Sequence, residues 1–77
     1  MKNQHNDRED AMSTQTTIGG KIRAAREKIG TSQADLARAV DVTPPHLWQV
    51  EHGRAQPSLP LIRRLAEALG VEPGELI

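Results

Sequence analysis

Apolar residues recur at helical spacing in four short runs, each bounded by a capping residue, a glycine or a proline. In the first run Ile18, Ile22, Ala25 and Ile29 fall on one face, with Lys21, Arg23, Glu27 and Lys28 on the wetter side. Gly30 follows as a stop, where a left-handed cap is least costly. Ser32 then stands as an N-cap, with Asp35 three residues on as a short-armed version of a capping box, and Gln33 as the first helical residue. This second helix breaks at Asp41–Val42. A third starts with Thr43 as N-cap and Pro44 and Pro45 in the first turn, where no intrahelical use is made of the missing amide hydrogens. Gly53 ends it. Pro57 and Ser58 mark a loop and a new cap, and the fourth helix, Leu59 to Leu69, is expected to bury Leu59, Ile62, Leu65, Ala66 and Leu69, with Arg63, Arg64 and Glu67 outward. Gly70 caps it, and Pro73 opens a last short turn whose Leu76 and Ile77 either pack back or meet a partner.

The stretch from Gln33 to His52 carries the functional reading. Two short helices joined by a tight turn, with Leu36, Val40, Val42, Leu47 and Val50 facing inward, form a helix-turn-helix, whose second helix fits a DNA major groove. Ala37 sits where the helices cross closely and a larger side chain would push them apart. Asp41 occupies the turn position that needs a left-handed backbone, usually glycine but tolerant of Asp or Asn.

Composition narrows the remainder. Seventy-seven residues suffice for one small domain. Residues 1–17, rich in Asn, Gln, Asp, Ser and Thr and without apolar period, read as a disordered tail preceding a domain over 18–77. An arm that touches DNA or a partner is the other reading of the tail, and Met12 is an alternative start. The chain has no cysteine, which excludes disulfides and thiolate metal sites. It has no membrane-length apolar run and no signal-peptide core after Met1, so the expected protein is soluble and cytoplasmic. The formal net charge of zero argues against a strongly electrostatic nucleic-acid binder. Between Ile18 and Arg54, however, six basic residues stand against four acids, which leaves room for a modest basic face and moderate salt-dependent affinity.

The segments IGGKIRAAREKIG, TSQADLARAV, LWQVEHG and QPSLPLIRRLAEALGV, in this order and spacing, resemble the lambda-repressor-like, Cro-type (Xre) helix-turn-helix family. The resemblance covers Ile18 to Ile77. It implies a compact all-α fold of five short helices with the third as recognition helix. It further implies base contacts from Thr43, Pro44, Pro45, Trp48 and Gln49, and phosphate contacts from Gln33, Arg54 and Gln56, with Arg38 as a further candidate. A buried ion pair between Arg26 and Glu51, fixing the first helix on the third, is also implied. Pro44 and Pro45 depart from the polar residues of many relatives. They offer only apolar contact, for example with a thymine methyl, and leave Gln49 as the main polar reader through a two-fold pairing with adenine. Thr31 stands where an apolar residue often staples the second helix.

Individual side chains admit blander readings. Gln33 lies beside exposed helix amides and suits a phosphate, or is simply solvated. Trp48, one position off the inward face and expected to be at least half exposed, lies on its own domain, touches the edge of the groove or meets another protein. His46 and His52 are too far apart around the helix to form a metal pair, and no third ligand is evident, so no metal or cofactor is expected. Gly19–Gly20 reads as an ordinary helix start. No phosphate loop, activated nucleophile or paired carboxylates suggest an enzyme.

Two functions therefore compete. One is a sequence-specific DNA-binding transcriptional regulator, more naturally a repressor, binding a palindromic operator as a homodimer through the fourth and fifth helices with Leu76 and Ile77 involved. A restriction-modification controller is a subtype of it. The other is a protein-binding module on the same fold, an antitoxin or a coactivator-like adaptor, motivated by the neutral charge, the two prolines and Trp48.

Overall fold

The computed structural model describes residues 17–77, and the expected tail, apart from Thr17, lies outside the described residues. Four α-helices follow one another: α1 (Ile18–Ile29), α2 (Gln33–Ala39), α3 (Pro44–Glu51) and α4 (Leu59–Leu69). The anticipated fifth helix is a single 3-10 turn, Pro73–Glu75. Three residues between Glu72 and Leu76, with a proline among them, are too few to close an α-helical turn. Among the described residues there is no strand.

Each helix starts on a hydroxyl that accepts from a first-turn amide: Thr17 from Gly20, Ser32 from Asp35, Thr43 from His46 and Ser58 from Leu61. Thr17, placed at the end of the tail by composition, is thus the cap of α1. Gly30 and Gly70 close α1 and α4 in the left-handed conformation, both at φ 74°. Asp41 sits at φ 63° in the turn between α2 and α3, the only non-glycine residue with positive φ among those described.

The core is one cluster in which α3 packs on α1 and α2, α4 packs on α1 and α2, and the 3-10 turn folds onto α4. Ile22, Leu36, Ala37, Val40, Leu47, Val50, Leu61, Ile62, Leu65, Ala66, Leu69 and Leu76 are buried. Leu76 is therefore core rather than interface, whereas Ile77 is exposed. Two expected core residues are corrected. Leu59 is 61% and Ile29 52% exposed. Side chains lean toward the N-terminus of their helix, so Leu59, as first residue, projects past the start of α4. Ile29 lies in the last turn of α1, whose buried residues Gly19, Gly20 and Ile22 are confined to its first half.

Gly19 is more than a helix start. A Cβ there would fall on the carbonyl oxygen of Val50 and 2.5 Å from that of Glu51. The first turn of α1 thus touches the last turn of α3 backbone to backbone, an approach open only to glycine.

Candidate nucleic-acid interface

The outward surface of α2 and α3 collects most of the residues singled out by sequence. Thr43, Pro44, Pro45, Trp48 and Gln49 are all exposed on or at the start of α3, and Arg54 and Gln56 are exposed in the loop that follows. This common surface exists because Leu47, Val50 and Glu51 take the inward face of α3. The angle of α3 against α2 is set by Ala37 at zero exposure and by the turn at Asp41.

The two helix starts on this surface differ chemically. At α2 the Asp35 amide is taken by the Ser32 cap, and the amides of Gln33 and Ala34 in the same first turn have no intrahelical acceptor. At α3 the first two helical residues are prolines without amide hydrogens, and the third, His46, donates to Thr43 Oγ1 at 3.3 Å. The start of α2 therefore suits an anion. The start of α3 presents ring carbons instead, suited to apolar contact.

Behind the surface lies a buried polar network. The Glu51 side chain is fully buried and accepts Arg26 Nε at 2.7 Å on one oxygen and Arg26 Nη2 at 3.1 Å on the other, a bidentate pair. Arg26 Nη1 donates to the carbonyl of Thr31 at 3.1 Å. The hydrogen bond from Glu51, together with its charge and that of Glu27, holds the Arg26 guanidinium above its ordinary pKa, against the opposing effect of burial. The ion pair implied by the resemblance is thus present.

Gln33 belongs to the same network. Its Nε2 donates to Glu51 Oε1 at 3.0 Å, which makes Gln33 half-buried rather than a free solvated side chain. One amide hydrogen and the amide oxygen remain for an outside partner. No spacing rule reveals this link, since Gln33 and Glu51 come together only when α2 and α3 cross.

Arg38 is 78% exposed in its side chain and pairs with Asp35 at 3.1 Å, so the charge it presents at the surface is partly cancelled. Arg23 pairs likewise with Glu27. Arg54 forms no salt bridge among the described residues, and its guanidinium lies 5.5 Å from the centre of the Trp48 ring. Trp48 is 40% exposed, somewhat less than expected, because the His52 ring stacks on it at 4.0 Å. Arg64, assigned by sequence only to the wet side of α4, donates from Nε to the carbonyl of Val40 at 3.2 Å and so holds the end of α2. Among the described residues no cluster of His, Cys, Asp and Glu could hold a metal, and no helix is long and apolar enough to cross a membrane.

Comparison with known proteins agrees with this geometry. A family model described as helix-turn-helix (HTH_3) matches residues 22–76. An HTH-type transcriptional regulator from Methanothermobacter thermautotrophicus is 45% identical over 51 residues, covering 66% of this chain and 74% of that protein. The HTH-type transcriptional regulator RamB of Mycobacterium tuberculosis is 32% identical over 59 residues, 77% of this chain, but the match spans only 12% of RamB. Among solved structures, the restriction-modification controller protein C.AhdI of Aeromonas hydrophila superposes with a TM-score of 0.75 at 37% identity, covering 78% of this chain and 91% of that one. The DNA-binding domain of the P22 C2 repressor does so with a TM-score of 0.77 at 31% identity, over 79% and 80%. The crossing of α2 and α3, the turn at Asp41 and the matched residues lead to one assignment: the chain belongs to the helix-turn-helix family.

Proposed function

We propose that this chain is the DNA-binding unit of a sequence-specific transcriptional regulator, a repressor that binds a palindromic operator as a homodimer. The observation that carries the reading is the exposed flank of α3, with Gln49 beside Arg54, on a helix clamped from behind by the Arg26–Glu51 pair. A reading helix must be rigid to discriminate bases, and a buried bidentate pair supplies a fixed orientation. The resemblance to controllers and repressors supports the same conclusion.

Gln49 is the base reader. Pro44, Pro45 and Thr43 make apolar and hydroxyl contacts at the groove floor. Arg54, Gln56, Gln33 and the amides at the start of α2 hold phosphates, with Arg38 contributing weakly because of Asp35. A single unit reads few base pairs, so two copies on half-sites about 34–36 Å apart are required for useful affinity. The dimer contact draws on exposed Ile77 and Leu59, Leu76 being committed to the core.

Selection of bound duplexes from a random pool, repeated at two salt concentrations, tests this. A palindromic motif is expected, with affinity falling as salt rises. Gln49→Ala should lose about 1–3 kcal/mol of discrimination at one base position. Unchanged base preference in Gln49→Ala would remove α3 from its role, and absence of any salt-dependent binding would favour the protein-binding module instead.

A further inference from the structure

Three exposed side chains at the closing end of α3 form a stack that base reading does not require. Trp48 and His52 are four residues apart and share a helix face. Their rings lie 4.0 Å apart between centroids and 21° from parallel. A second contact locks the imidazole: Nδ1 lies 2.9 Å from the Trp48 carbonyl, which only accepts, so Nδ1 carries the hydrogen. Gly53, at φ 73°, then reverses the chain, and the Arg54 amide donates to the Gln49 carbonyl at 2.8 Å. Arg54 is thereby returned alongside the helix it has just left. Its guanidinium carbon is 5.5 Å from the indole centre, within the range of a cation–π contact.

What distinguishes Arg54 from the three arginines of α1 and α2 is the kind of group that holds it. Arg23, Arg26 and Arg38 are each oriented by a carboxylate, which also cancels their charge. Arg54 is oriented by a neutral ring and keeps its full charge for an anion. A planar fork of donors held in one orientation is the form that engages two phosphate oxygens at once.

The geometry points to Trp48 as a positioning residue rather than a base reader: its indole, braced by His52, holds the Arg54 guanidinium toward a phosphate of the DNA backbone. This role rests on the DNA-binding reading above and reassigns Trp48 within it.

The test uses the full chain and two duplexes, one selected from the random pool and one of unrelated sequence, with folding of each variant checked by circular dichroism. Trp48→Leu should weaken both duplexes alike by about two- to fivefold, the scale of an exposed cation–π contact, and leave base preference unchanged. In an Arg54→Ala background the same substitution should have almost no further effect, and Trp48→Phe should retain most of the affinity. Since Trp48 is the only tryptophan, its emission in the free protein should change in Arg54→Ala. A shift of base preference at one position in Trp48→Leu, an equal loss with and without Arg54, or emission indifferent to Arg54→Ala would each overturn the role. A wild-type chain that binds neither duplex overturns the DNA reading itself, an outcome recognisable because no variant is involved.

Discussion

Trp48 and Glu51 are three residues apart on α3, yet they organise polar contacts of opposite kinds. Around Glu51 a fully buried carboxylate is met by two donors of Arg26 and one of Gln33. Around Trp48 an imidazole and a guanidinium lie on a ring that is 40% exposed. Water cannot replace a lost partner in the first network, so its geometry is obligatory for the fold. In the second, water covers any loss, so the contacts do little for stability and remain available for a ligand. One short helix thus separates the interactions that fix its position from those left open at its surface.

The comparison breaks most visibly at its buried end. Arg26→Ala leaves the Glu51 charge with Gln33 alone, and a loss of about 3–5 kcal/mol is expected in urea unfolding, comparable with the whole stability of a small domain. The sign of its pH dependence follows from the raised pKa of Arg26. A cation whose folded pKa is raised stabilises fully below its unfolded value and loses that contribution only as pH climbs through the folded one. The arginine range lies above ordinary alkaline conditions, so the difference between wild type and Arg26→Ala should stay flat from neutrality to about pH 10. A deficit that shrinks across that window would show that the pair is not held by the Arg26 charge.

Gly19→Ala should cost about 1–3 kcal/mol in the same assay, because the new methyl meets backbone carbonyls that lack a rotamer to move away. A neutral result would mean that α1 and α3 slide apart cheaply, and the clamp would then reside in Arg26 and Glu51 alone. At the exposed end, His52→Ala should change thermal stability by no more than about 1 kcal/mol. A larger loss would make the stack structural and erase the contrast. Smallest of all, Arg38→Ala should shift stability by less than about 0.5 kcal/mol, as its partner Asp35 is also well exposed.

Local chemistry made much of the fold legible before any coordinates. The caps at Ser32, Thr43 and Ser58, the glycine stops and the left-handed Asp41 depend on a few adjacent residues, and all are found. The Arg26–Glu51 pair came from resemblance, since nothing local connects two residues so far apart in the chain. Ile29 and Leu59 show where periodicity fails: it gives a direction around a helix, not whether a neighbour extends that far along it. Gln33 and Arg64 have partners that no local pattern reveals, for a related reason. Long polar side chains reach partners on other helices, and their targets, Glu51 and the Val40 carbonyl, appear only after packing. A glycine at a helix start has a sufficient local explanation, which conceals the tertiary role of Gly19.

The contact at Gly19 also fixes where α1 begins relative to α3. With no side chain between them, α1 and the end of α3 behave as one solid piece, and Thr17 and Ile18 border the same groove as Val50, Gly53 and Gln56. The first residues of α1 therefore hold a fixed address alongside the closing end of α3. Any group that docks against the closing end of α3 meets the start of α1 as well.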